Sequence, residues 1–155
     1  MRHGIADDPR PGMDDSLRAL TSEGKKGLRA VLKLAKNANV KPDLIISSPY
    51  RRAVETAEIA AEELGYKESL FKTKVLQPGS APQEVWDEIR LHKDCACMLL
   101  AGHEPCLGRA AGHLLGVPNL LIHVKKASLI RIDVEQFSAH PRGVLKWMAV
   151  PKLAQ

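Results

Sequence analysis

Four side chains in this sequence could work on one substrate. Arg2 and His3 open the chain in RHG, Arg52 lies in SSPYRRAVETA at 47–57, and His103 lies in GHEPCLG at 102–108. Two guanidiniums and two imidazoles make a poor packing cluster. They make a good cradle for a doubly charged phosphate, because a guanidinium grips such oxygens bidentately. Singly, each has a plain structural reading: a disordered start for Arg2 and His3, surface charge for Arg51 and Arg52, a satisfied core histidine for His103. Acting together, they need elements that bring them to one place.

Those elements can be read from the pattern. LIIS at 44–47 predicts a short buried strand, and CACMLLA at 95–101 a central strand covered on both faces. SSPYRRAVETA and GHEPCLG follow the C-terminal ends of these strands, and RHG would do so if a strand preceded position 2. Ligands of open α/β sheets bind in the crevice outside those ends. Thr21 can cap a helix from about Ser22, in which Leu28, Val31, Leu32 and Ala35 recur on one face. Ala53, Thr56, Ala57, Ala60 and Leu64 give a second helix its core stripe, and Gly65 ends it. Helices are also expected at 83–91, packed by Val85, Trp86 and Ile89, and at 106–115. Further strands are expected at 73–76, 120–124, 128–134 and 144–150, with 5–20 a loop. The alternation predicts one domain over 1–155, a three-layer α/β/α fold with a mostly parallel central sheet.

Composition narrows the function classes. The longest apolar run, 95–101, is far short of the ~20 residues of a membrane span, and no signal peptide opens the chain, so a cytoplasmic protein is expected. Cys95, Cys97 and Cys106 show no CxxC and no zinc spacing, which reads as free thiols in a reducing compartment. Net charge is +5, but the basic residues are spread along the chain and aromatics are only 4%, too few for base stacking. Neither nucleic acid nor membrane is an expected partner.

RHGIA, LTSEG at 20–24, SSPYRRAVETA and GHEPCLG, in this order and at this length, resemble the histidine phosphatase superfamily. The small size and GHEPCL look most like its SixA-type phosphohistidine phosphatases. The resemblance implies a phosphoglycerate-mutase-like fold. It implies His3 as nucleophile, carrying the phosphoryl group as a phosphohistidine intermediate. Arg2 and Arg52 would hold the phosphate oxygens, with Gly4 beside them, and His103 would be the second phosphate-binding histidine. Arg52 is preferred to Arg51 because Ser48, Pro49, Arg52 and Ala53 match the family pattern Ser-Pro-x-x-Arg-Ala. No metal or cofactor is implied, since cationic side chains supply the charge stabilisation. A nucleophilic imidazole must be neutral, and the positive charge of Arg2 and Arg52 should lower the His3 pKa from its ordinary value of about 6.5.

The substrate class turns on the leaving group. A departing alkoxide needs an acid to protonate it. A phosphohistidine whose other ring nitrogen is protonated leaves as neutral imidazole. Glu84, Asp87 and Glu88 lie where larger relatives carry an acid, and Glu84 is the candidate, although all three also read as polar residues of an amphipathic helix. The segment is short for a lid over a small metabolite. The expected function is a phosphohistidine phosphatase acting on a phosphorelay protein, a histidine phosphotransfer domain, as a monomer. The alternatives are a phosphatase of small phosphate esters using Glu84, and a non-catalytic phosphate- or phosphoprotein-binding module.

Relatives run an apolar strand straight into RHG, whereas one residue, Met1, stands before Arg2 here. The first strand is therefore expected to be missing or truncated in this numbering, with the native start upstream. Failing that, His3 should sit on a loose end, with low activity and marginal stability. Intact mass of the protein from its own host decides between the two.

Overall fold

The computed structural model describes residues 1–154. Helix α1 (Ser22–Asn37) starts where Thr21 Oγ1 accepts the Gly24 N–H at 3.0 Å, the predicted cap. Its stripe of Leu28, Val31, Leu32 and Ala35 is fully buried. Helix α2 (Arg51–Leu64) packs beside it and ends at Gly65, whose φ of 73° needs a residue without Cβ strain.

Strand β1 (Leu44–Ser47) is the centre of a three-stranded parallel sheet, flanked by β2 (Phe71–Lys72) and β3 (Met98–Ala101). Its side chains alternate between two cores, as a strand's period of two requires. Ile45 joins Leu28, Leu32 and Ala57 under α1 and α2. Ile46 joins Leu76, Val85 and Trp86 under α3 (Pro82–Leu91) and α4 (Cys106–Leu114). This is the predicted layering of helices, sheet and helices. A separate antiparallel ribbon, β4 (Leu129–Asp133) and β5 (Val144–Ala149), follows.

Three predicted strands differ. Residues 73–76 are not a strand, because Thr73 Oγ1 accepts the Val75 N–H at 3.4 Å and starts a 3₁₀ turn over Lys74–Leu76. The β-branched pattern there imitates a strand, while the actual pairing with Ile46 and Ser47 falls on Phe71 and Lys72. Pairing in the 95–101 run begins only at Met98. Cys97 is held by Asp43, whose carboxylate accepts the Cys97 N–H at 3.0 Å. Residues 120–124 form no strand. The Leu120 and Ile122 carbonyls instead lie within 3.2 and 2.9 Å of where a Cβ would stand on Gly112 and Gly108 of α4, and Leu121 is left 96% exposed.

The start of the chain is pinned rather than loose. Met1–His3 lies beside the end of β3, where Arg2 bridges Gly102 in parallel. The Gly102 N–H donates to the Met1 carbonyl at 3.1 Å, and the His3 N–H to the Gly102 carbonyl at 3.0 Å. On the other side Arg2 N–H donates to Ser128 O, and Ala127 N–H to His3 O, both at 3.0 Å. His3 is thus clamped by backbone on both flanks.

Gly4 and Gly24 let the loop after His3 press on α1. A Cβ on Gly4 would stand 2.9 Å from the Gly24 carbonyl oxygen, and one on Gly24 would run into the Ile5 carbonyl. Gly24→Ala is therefore expected to destabilise the protein by about 2 kcal/mol or more, even though Ala gains about 1 kcal/mol of helix propensity. A urea midpoint equal to or above that of the unsubstituted protein would contradict this close approach.

Candidate active site

The ends of the parallel strands and the clamped start of the chain meet at one point. β1 leads through Ser48 to the first turn of α2 and Arg52, and β3 leads to His103. His3, Arg52 and His103 are 6%, 5% and 1% exposed, so none is a free surface charge. The two imidazole rings lie 5.0 Å apart between centroids. The structure brings together His3, Arg52 and His103, one from each of three of the motifs.

Hydrogen bonding fixes the protonation of His3. Its Nδ1 lies 2.7 Å from the Gly4 carbonyl, which can only accept, so Nδ1 carries the proton. Its Nε2 lies 3.3 Å from Arg52 Nε, which can only donate, so Nε2 holds a lone pair. Both neighbours select one neutral tautomer with Nε2 facing the cationic side. Burial is the largest cause pulling the His3 pKa down to about 4; the Gly4 bond opposes it, and the charges of Arg52, Arg2 and Lys126 add to it. The predicted neighbour-charge effect is present but second to desolvation.

His103 has its Nε2 2.9 Å from Ser48 Oγ and its ring edge-on to Tyr50 at 5.0 Å. Burial, followed by the charges of His3 and Arg52, draws its pKa down to about 3. Arg2 donates from one terminal nitrogen to the Val124 carbonyl at 2.7 Å. Arg2 Nε and His103 Nδ1 are buried with no hydrogen-bond partner. Buried polar atoms are rarely left so; His113 Nε2 and Ser128 Oγ are in the same state.

Arg52 Nη1 donates to the Asp15 carbonyl at 2.6 Å and Nη2 to its carboxylate at 2.8 Å, while the ring of Tyr50 lies 5.0 Å from the guanidinium carbon. The hydrogen bond from Arg18, then that from Arg52, holds the Asp15 carboxyl below its ordinary range. Thr56 ties α2 to the motif at the chain start, donating to Arg52 O at 2.7 Å and accepting the Gly4 N–H at 3.3 Å. Sequence reasoning assigned no site role to Asp15, Tyr50 or Thr56, and read Thr56 only as part of the core stripe of α2. Tyr50 and Thr56 stood inside a quoted motif, whereas nothing around Asp15 marked it.

The other candidates sit differently. Arg51 points outward to Glu55 at 2.9 Å, which agrees with the preference for Arg52. Gly4 gives its N–H to Thr56 and its space to α1. Glu84 is exposed, and its carboxylate accepts the Ala81 N–H at 2.7 Å, capping α3. None of its hydrogen bonds reaches His3, Arg52 or His103 among the described residues. Glu104, beside His103, accepts the Gly108 N–H at 2.9 Å; burial raises its carboxyl pKa, against the pull of that bond and of Arg2.

The two depressed imidazoles tie stability to pH. Unfolded histidines take up protons near pH 6.5, whereas His3 and His103 resist until about 4 and 3. The unfolded state binds more protons between those limits, so stability falls as pH drops below about 6.5. Each histidine contributes a slope of up to about 1.4 kcal/mol per pH unit in that window. Urea midpoints between pH 7 and 5 should fall steeply, and His103→Gln should flatten the slope; an unchanged slope would show that His103 is not a buried neutral ring.

Comparison with known proteins agrees with this fold. The profile of the histidine phosphatase superfamily (branch 1) matches residues 1–76. An uncharacterized protein of Picosynechococcus sp. is 31% identical over 97% of this chain and 94% of its own length. The structure of the protein histidine phosphatase SixA complexed with tungstate superposes with a TM-score of 0.87 at 23% identity, over 100% of this chain and 97% of that one. A mycobacterial glucosyl-3-phosphoglycerate phosphatase gives a TM-score of 0.68 at 17% identity, over 94% of each chain. At such identities the solved structures speak for the fold, which is the phosphoglycerate-mutase-like one expected. The profile match over residues 1–76, on top of that fold and the clustered motifs, makes the chain similar to the histidine phosphatase superfamily.

Proposed function

We propose that this protein is a phosphatase that removes phosphate from a histidine of a signalling protein through a phosphoryl intermediate on His3. The observation that carries the reading is the neutral Nε2 of His3 held against the Arg52 guanidinium. In the first step Nε2 bonds to phosphorus as the phosphorus–nitrogen bond of the substrate breaks. The substrate imidazole leaves neutral when its other nitrogen carries a proton. Water then attacks phosphorus, the bond to Nε2 breaks, and inorganic phosphate departs. Arg2 Nε and His103 Nδ1, both without a protein partner, and the free N–H groups of Arg52 are suited to the phosphoryl oxygens. The similar protein histidine phosphatase SixA was solved complexed with tungstate, a tetrahedral oxyanion, which is in keeping with a phosphatase reading.

Two observations favour a protein substrate. The Glu84 carboxylate is spent on its helix cap, which suits a leaving group that needs no acid. A groove of about 610 Å³ adjoins the site at Arg2 and is lined by Lys26, His123, Lys125, Lys126 and Lys152. Its positive wall suits an acidic protein surface. Lys125→Glu with Lys152→Glu is expected to raise KM for a phosphohistidine-bearing phosphotransfer domain about tenfold and leave KM for a small ester unchanged. Equal effects on both substrates would remove the groove from protein recognition.

One observation favours the second reading, a phosphatase of small esters. Glu104, with its raised carboxyl pKa beside His103, could protonate an alkoxide. The deciding experiment compares hydrolysis of the phosphotransfer domain with a panel of phosphate esters, in EDTA, with His3→Ala as control. Preference for the phosphohistidine, abolished in the control, supports the first reading. Faster ester turnover that Glu104→Gln removes supports the second. No turnover of either, with phosphate still bound, leaves a binding module.

A further inference from the structure

Tyr50 holds a position that neither its helix nor the core explains. It is the N-cap of α2, with φ −64° and ψ 134°, and its carbonyl accepts the N–H groups of Ala53 at 2.9 Å and Val54 at 3.0 Å. This position favours a short polar side chain that takes one of the first free N–H groups of the helix. The Tyr50 side chain makes no such bond. Among the described residues, its ring is part of neither hydrophobic core.

What the ring does touch is the site. Its centroid lies 5.0 Å from that of the His103 ring, at an interplanar angle of 66°, and 5.0 Å from the Arg52 guanidinium carbon. The backbone beneath it is fixed. The Tyr50 N–H donates to Ser48 Oγ at 3.3 Å, and the same hydroxyl lies 2.9 Å from His103 Nε2. His3, Arg52 and His103 are buried, whereas Tyr50 is half-buried, so its ring stands on the outward side of the cradle. In the proposed reaction His3 Nε2 attacks phosphorus from within, and an in-line displacement puts the departing atom on the opposite side. The leaving group therefore exits on the side where Tyr50 stands.

We infer that Tyr50 is the wall of an aromatic subsite for the leaving group, which takes a flat ring, the imidazole of a phosphohistidine or an aryl oxide, in preference to an aliphatic group. The inference rests on the phosphatase reading of the site and adds the class of leaving group to it. Aromatic rings in contact adopt offset or edge-to-face arrangements and gain more than their buried area alone supplies. An aliphatic group gains only the area. An aryl oxide, like a neutral imidazole, departs without an acid. The phosphorus–oxygen bond breaks, its electron pair stays on oxygen, and a phenol pKa of about 10 makes that charge tolerable. The ring subsite and a Glu84 carboxylate spent on its helix cap therefore suit the same substrates.

The test measures kcat/KM on two small substrates that carry a ring, phosphoimidazole and phenyl phosphate, and two that carry none, phosphoramidate and acetyl phosphate. None of the four leaves as an alkoxide, so the ring is the difference that the pairs share. Tyr50→Leu should lower kcat/KM about fivefold more on the ring substrates than on the ring-free ones. Tyr50→Ser, which gives α2 a favoured cap residue, should show the same change of ratio. Tyr50→Phe, which keeps the ring, should keep the ratio of the unsubstituted protein. An equal loss on all four substrates in Tyr50→Leu and Tyr50→Ser would overturn the subsite and make Tyr50 a prop for His103 and Arg52. A ratio lost in Tyr50→Phe as well would also overturn it, by moving the preference from the ring to the hydroxyl. No turnover of any of the four by the unsubstituted protein would remove the phosphatase reading and the subsite together, whereas the two preceding outcomes remove the subsite alone.

Discussion

Replacing His3 by glutamine should lower turnover of the phosphorylated substrate by at least about 10⁴-fold, some 5.5 kcal/mol of transition-state stabilisation, and leave the fold intact. Glutamine is similar in reach and can still donate to the Gly4 carbonyl and accept from Arg52 Nε. It has no nitrogen lone pair that can take a phosphoryl group, so the loss would report chemistry rather than packing. Because His3 is neutral in the folded state, its removal takes no charge out of the site at pH 7. Stability at neutral pH should change little, and stability near pH 5 should improve relative to pH 7, since one proton-resisting group is gone. The companion measurement is rapid quenching of the unsubstituted enzyme, with one phosphoryl group found by mass on the peptide holding His3. His103→Gln should keep that adduct, formed more slowly. Retention of a tenth of the activity in His3→Gln, or an adduct on His103, would reverse the assignment of the two imidazoles.

The fold was legible where local chemistry and tertiary need agree. Thr21 caps α1, Gly65 ends α2, and Ile45 and Ile46 divide between two cores because short apolar runs with clear punctuation leave little choice. It was illegible where the partner decides. Residues 120–124 carry strand-forming side chains, yet two helix glycines draw their backbone in, a contact no periodicity encodes. The same limit applies at the site. His3, Arg52 and His103 lie at strand ends and could be found by topology. Asp15 belongs to a loop with few apolar anchors, and its place over Arg52 comes from a 3₁₀ turn, Asp15–Leu17, folded across 37 residues of sequence. The dominance of burial over neighbouring charge in the histidines was also hidden, because desolvation depends on what covers the rings.

Arg52→Lys should lower kcat/KM by about 10²- to 10³-fold although it keeps the charge, because the guanidinium fork is needed in three directions. Of its five N–H groups, Nε faces His3 and one on each terminal nitrogen is held by Asp15, which leaves two for a phosphoryl oxygen. An ammonium has three donors and no fixed plane, so it cannot hold the Asp15 carbonyl and carboxylate, face Nε2 and still offer two donors. Asp15 gives this prediction its internal control. Its carboxylate competes with phosphate for the same cation, so Asp15→Asn should tighten product phosphate binding several-fold, through weaker competition rather than new contacts. If Arg52 served only to pin the 3₁₀ turn over α2, both substitutions would loosen the turn and neither would change phosphate affinity selectively. Inhibition constants for inorganic phosphate, measured on both variants beside their urea midpoints, separate the two roles. A gain in phosphate affinity for Asp15→Asn with a loss for Arg52→Lys, at matched stability, places the guanidinium on the reacting group. Unchanged affinity in both would make Arg52 a structural tether and leave Arg2 and His103 to hold the phosphoryl oxygens.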